Sequence, residues 1–181
     1  MVKEIRIYFE GAAVLREGFG EFLKEIRDKA RARRIGFEFI ACGGAAKRDF
    51  EIGSRRNPQA WNVLLCDSEG DPVPSPPPDS KFWMVELMEA WFLADPEALQ
   101  HYYGAEFNRK ALKKNPDVEK IRKVDVKSCL DEATKGTQKG RYNKTKHAPH
   151  LLMRISPQKV RKHARNCERL FQSLGAKIEG R

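Results

Sequence analysis

The chain has 181 residues, 40% hydrophobic and 33% charged. That composition excludes a disordered chain, and no apolar run reaches the roughly 18 residues a membrane span needs. The net charge of +10 is uneven: residues 1–106 carry 14 Lys and Arg against 18 Asp and Glu, and residues 107–181 carry 21 against 7, a balance that points the second part toward a polyanionic partner or gives it a solvated basic face.

Glu4 to Phe9 alternates Ile5 and Ile7 with Glu4 and Arg6 and reads as a strand, with Glu10-Gly11-Ala12 as its turn. The chain enters this strand directly, so no signal peptide is expected. From Ala13 to Arg34, Leu15, Phe19, Phe22, Leu23, Ile26 and Ala30 recur at helical spacing, and Gly36 ends the helix. Phe37 to Cys42 is a second strand, and a short helix over 47–54 stops at Asn57-Pro58. Val63 to Cys66, with Trp61 before them, is a mostly apolar run, as in a strand buried on both faces. This β-α-β-α-β order predicts a parallel sheet with right-handed crossovers. Five prolines in residues 70–80 exclude a helix or central strand and predict a surface loop over the end of the sheet. Lys81 to Val85 returns as a strand, 86–94 turns helical, and Asp95-Pro96 caps a helix that ends near Gly104.

The predicted organisation is an α/β core over residues 1–106, a basic helical part over 107–176 and a tail over 177–181. The second part holds a helix over 126–133, a polar loop over 136–146, a helix end at 150–154 and a last helix from Ser156-Pro157 to about Leu174. Ile178 to Arg181 resembles a factor Xa cleavage sequence and is expected to lie outside the fold. Four scattered cysteines, with no CxxC spacing, suit structural thiols in a reducing cytoplasm.

Ligands of open α/β sheets gather beyond the carboxyl ends of the strands. Glu10 after the first strand, and Asp67, Glu69 and Asp71 after the third, are therefore candidate ligands of Mg²⁺ or Mn²⁺, for which two or three carboxylates suffice. In an extended segment residues 67 and 69 point to one side; acid-Gly turns would account for the same residues. Glu89 lies among Met88, Ala90 and Trp91, where a carboxylate needs a metal, its water or an arginine. Lys139, Arg141, Tyr142, Lys144, Lys146 and His147 suit a nucleic-acid backbone, with His147 a candidate acid/base or cap, although a solvated loop would look alike. In the last helix, Val160, Ala164, Cys167, Phe171 and Leu174 form one apolar stripe, which sets Lys162, Arg165 and Arg169 on the opposite face. The chain has no Gly-x-x-x-x-Gly-Lys-Ser/Thr loop and is expected to have no ATPase activity of its own.

The segments YFEGAA, LLCDSEGD, MEAWFLAD, Asn-Pro-x-Val-Glu at 115–119 and GxYxKxxHAxxLL at 140–152 together resemble DUF4276, a bacterial family usually described as Toprim-like. The resemblance runs from about residue 3 to 174. It implies the metal-binding α/β fold of topoisomerases, primases and OLD-family nucleases, in which a glutamate follows the first strand and an Asp-x-Asp pair a later one. Glu10 matches the glutamate and Asp67 the first aspartate. Glu69 stands in place of the second, keeping the charge on a longer arm. The expected function is Mg²⁺- or Mn²⁺-dependent phosphodiester cleavage of DNA or RNA, with Glu89 and His147 assisting. The resemblance also implies a phage-defence effector beside a partner ATPase. The alternative is a non-catalytic adaptor of that ATPase.

Overall fold

Residues 2–180 are described by the computed structural model. Four strands, β1 (Glu4–Phe9), β2 (Gly36–Ala41), β3 (Trp61–Asp67) and β4 (Lys81–Met84), form one sheet. All its pairings are parallel and its order is β2-β1-β3-β4. The chain winds outward from β1 to β2, then returns past β1 to β3 and β4. The crevice where the winding reverses therefore lies between β1 and β3, at their carboxyl ends. This is a mixed α/β fold, consistent with the Toprim-like architecture expected.

The alternation along the strands builds two unequal cores. Ile5, Ile7, Phe9, Val63, Leu65, Phe82 and Met84 are buried on one face. They meet α1 (Leu15–Phe22), α2 (Lys24–Ala32) and α9 (Arg165–Glu179). Tyr8, Leu64 and Cys66 face the other way, onto Ala46 and Phe50 of α3 (Ala46–Arg56). A Cβ at Gly53 would overlap the Tyr8 hydroxyl, so a glycine is needed for α3 to lie this close to β1.

The chain continues through α4 (Ala90–Leu93), α5 (Pro96–Tyr103), α6 (Lys123–Thr134), α7 (Lys144–Leu152) and α8 (Pro157–His163) before α9. Residues from both the acidic and the basic part share the larger core, from Ile5 to Ile178. At Gly18 of α1 an added Cβ would stand 2.8 Å from Leu152 Cβ. That close approach seats α7, whose first residue is Lys144, against the sheet-packed helices.

Several elements differ from the sequence reading. The first helix breaks at Leu23 into α1 and α2. The basic stretch over 136–146 is a loop only as far as Asn143, whose side chain accepts the Lys146 N–H and starts α7. The last helix is two helices: Ala164 is extended (φ −138°, ψ 101°), so no single helical wheel spans 157–174. α9 runs to Glu179 and buries Ile178, which places residues 177–179 of the expected tail within the fold; Arg181 lies outside the described residues. Among the described residues no helix is long and apolar enough to cross a membrane.

Candidate metal centre

Adjacent strands bring the acids together. Glu10 follows β1 directly, and its N–H donates to the Leu65 carbonyl of β3 at 2.9 Å. Asp67 ends β3, and its N–H donates to Glu10 Oε2 at 3.2 Å. Glu69 arrives by another route than strand alternation. β3 stops at Asp67, and Glu69 takes a left-handed conformation (φ 55°), held by donation of its N–H to the Glu86 carbonyl at 3.0 Å. A non-glycine residue there is uncommon and strained. One carboxylate oxygen from each of Glu10, Asp67 and Glu69 lies within 4.8 Å of the others. Asp71 is exposed and lines the same cleft but stands outside this trio.

The trio fits a hard divalent ion. All donors are carboxylate oxygens, and their spread approaches the roughly 4 Å between opposite oxygens of an octahedral Mg²⁺ shell. Asp67 is 6% exposed. Burial pushes its carboxyl up to about 7, Glu89 and Glu10 adding to the rise against the opposing pull of Lys144 and the Met88 N–H. A cation among the three acids would relieve that repulsion.

A second layer of contacts surrounds the trio. Met88 N–H donates to Asp67 Oδ1 at 2.8 Å, and Lys144 Nζ donates to Asp67 Oδ2 at 3.4 Å. Lys144 also stands 3.6 Å from Glu89 Oε2, while the Tyr142 hydroxyl donates to Glu89 Oε1 at 3.1 Å. Burial lowers the Lys144 pKa, and Asp67 and Glu89 more than reverse this. Glu89 is thus partnered by a lysine and a tyrosine in place of the expected metal, water or arginine. Lys123 holds Glu69 by both its carbonyl and its carboxylate, each at 3.0 Å.

The other expected residues take separate places. His147 is 1% exposed, and its Nδ1 accepts the Asn143 N–H at 3.0 Å. Burial, with Lys146 nearby, holds its pKa below the usual histidine range. From this buried position it stabilises the start of α7. Lys139 lies 5.0 Å from the Tyr102 ring centre, Arg141 pairs with Asp131, and Lys146 Nζ donates to the Lys139 carbonyl at 3.4 Å. Lys162 and Arg165 are exposed. Arg169 is not on an outward face as expected. Its guanidinium lies 4.1 Å from the Phe82 ring centre and donates to the carbonyls of Pro78 and Lys81, tying α9 to β4.

Sequence reasoning missed Lys123, Lys47 and Arg48. The last two sit at the start of α3 and line the acidic cleft with Glu10 and Asp67. Their signal was the Gly-Gly turn before a short helix, which places a helix N-terminus beside a strand end.

A family model described as "Domain of unknown function (DUF4276)" matches residues 71–175. No curated protein and no solved structure matches.

Proposed function

The chain belongs to the DUF4276 family, whose description assigns no activity, and from its site we propose a metal-dependent nuclease that cleaves phosphodiesters of DNA or RNA. The observation that carries this reading is the convergence of Glu10, Asp67 and Glu69 oxygens within 4.8 Å at a sheet's switch point. These three residues would hold Mg²⁺ or Mn²⁺, which supplies Lewis acidity at the phosphate and acidifies water. Glu10 is oriented by the Asp67 N–H, and Asp67 by the Met88 N–H. Glu89, held by Tyr142, keeps the Lys144 ammonium beside Asp67, where it offers positive charge to a phosphate oxygen. Lys47 and Arg48 line the cleft beside Glu10 and Asp67 and offer further positive charge there.

The test is incubation of the purified chain with labelled DNA and RNA and Mg²⁺ or Mn²⁺. Wild type should cleave, and Glu10→Gln and Asp67→Asn should each lower the rate at least about a hundredfold. No cleavage with either ion, or an unchanged rate in Glu10→Gln, would remove the nuclease reading.

One observation favours the second reading, an adaptor with an inert acid site. Lys123 on Glu69 and Lys144 on Asp67 already answer much of the acidic charge from within the chain. A chain that cleaves nothing with either ion, yet binds a partner ATPase, would establish it. A phage-defence setting and a reducing cytoplasm, which suits four buried free thiols, belong to both readings.

A further inference from the structure

Beside the acidic cleft lies a second cavity of about 330 Å³ on the sheet face that α3 covers. Phe50 of α3, Leu64 of β3 and Trp83 of β4 form its apolar walls, and Pro72, Pro74 and Pro78 of the proline loop close it. Lys81 stands at the same cavity, 5.9 Å from the Phe50 ring centre. The volume is within the roughly 300–1,000 Å³ range of small-molecule sites.

The two cavities share Lys47, Asp67, Ser68 and Asp71, so they adjoin at these residues. Ser68 sits at this junction, 4% exposed, and its Oγ has no hydrogen-bond partner among the described residues. A buried hydroxyl left unmatched needs an explanation, and a ligand oxygen or nitrogen at the junction supplies one. The ligand this arrangement suits has two unlike ends. One is flat and apolar enough for Phe50, Trp83 and three prolines. The other is anionic, for Lys47 and a cation held by the acids.

We infer that this cavity takes the nucleobase of a nucleotide whose phosphate lies in the acidic cleft, an inference that rests on the nuclease reading for the phosphate's position. A base against the partly exposed indole of Trp83 gains affinity from stacking whatever its identity, because every base has a π-face. Lys47, on the lining of both cavities, is the phosphate contact.

The test compares adenosine 5′-monophosphate with ribose 5-phosphate by calorimetric titration in Mg²⁺. Wild type should bind the nucleotide at least about tenfold more tightly, the scale of one aromatic-base stack. Trp83→Ala should bind both at the ribose 5-phosphate level, and Trp83→Phe should keep most of the preference. Lys47→Ala should weaken both ligands by the same factor. Equal binding of the two ligands by wild type overturns the inference, and this comparison needs no variant to fold. A preference retained in Trp83→Ala, with the Mg²⁺-induced rise in Tm intact, also overturns it. The two readings fail separately. Base preference without cleavage keeps the pocket and removes the nuclease, whereas cleavage without base preference removes only the pocket.

Discussion

Asp67 carries two opposed demands: the end of a core strand buries it, and the neighbouring acids repel its charge. Its folded pKa of about 7 lies above the ordinary 3.8. Between those values the folded state holds a proton that the unfolded chain has released. Stability from this group is therefore fully present below about pH 4 and is lost as pH rises through about 7. Asp67→Asn keeps an oxygen for the Met88 N–H and has no charge to desolvate. Without metal, its Tm should match wild type near pH 4 and exceed it at pH 8, by an amount on the order of a few kcal/mol in stability. Mg²⁺ should raise the wild-type Tm at pH 8 and much less at pH 5.5, where a proton competes at Asp67, and should do little for Asp67→Asn at either pH. Equal Mg²⁺ stabilisation of both proteins in thermal melts would make Asp67 a turn residue only. Glu89 gives a second prediction at this scale. Tyr142→Phe removes the hydroxyl from Glu89 Oε1 and leaves a buried carboxylate with Lys144 alone. The cost should be about 1–3 kcal/mol in denaturant unfolding, and a change below a few tenths would show that water replaces the hydroxyl.

Among the elements, the break at Ala164 decides what the C-terminal cations do. Lys162 lies in the last turn of α8 and Arg165 opens α9, both in solvent, whereas Arg169 lies one turn further on, against Phe82. Lys162→Glu with Arg165→Glu should leave Tm within a degree or two. Arg169→Glu should lower stability by about 2–4 kcal/mol, because it loses two carbonyl acceptors and puts a carboxylate on an aromatic face. An unaffected Tm in Arg169→Glu would return this residue to the outward face. The break had no local sign in the sequence, with neither Gly nor Pro at 164. The start of α9 is capped instead by Glu119, which accepts the Asn166 N–H at 2.8 Å from 47 residues away. Lys123 on Glu69 spans 54 residues and Tyr142 on Glu89 spans 53, and such pairs leave no periodic trace. By contrast β1, β3, the Asp95-Pro96 cap and the trio of acids were legible. Each depends on neighbours within a few residues, and parallel pairing of two central strands then brings Glu10 to Asp67. Glu69 reaches the other two acids by a left-handed turn and not by the strand alternation that its spacing suggests.

Across the whole molecule, the charge asymmetry survives folding in a modified form. Lys123, Lys159 and Arg109 of the basic part pair with Glu69, Asp95 and Glu97 of the acidic part. These contacts help to join the two parts over one core and remove some cations from the free surface. Lys144, partly exposed at the mouth of the acid site, and the exposed Lys146, Lys162 and Arg165 remain available to a polyanion. A strand that met these four cations would release about as many counterions. Log affinity for single-stranded nucleic acid should then fall with log salt at a slope of roughly −3, near −0.7 for each phosphate neutralised. Lys162→Glu with Arg165→Glu should reduce the magnitude of that slope by about 1.4 if both contact phosphate, and the near-constant Tm expected of this exposed pair separates that loss from unfolding. Lys144→Ala should behave differently. It removes one phosphate contact, yet it also strips Asp67 and Glu89 of their shared cation. The slope should fall by about 0.7 while Mg²⁺ binding tightens, because the ion no longer competes with an ammonium for the same carboxylates. Anisotropy titrations over a salt series, with and without Mg²⁺, measure both effects. A slope unchanged in the double variant makes that surface merely solvated. Weaker Mg²⁺ binding in Lys144→Ala would mean that the lysine organises the acids and does not compete for them.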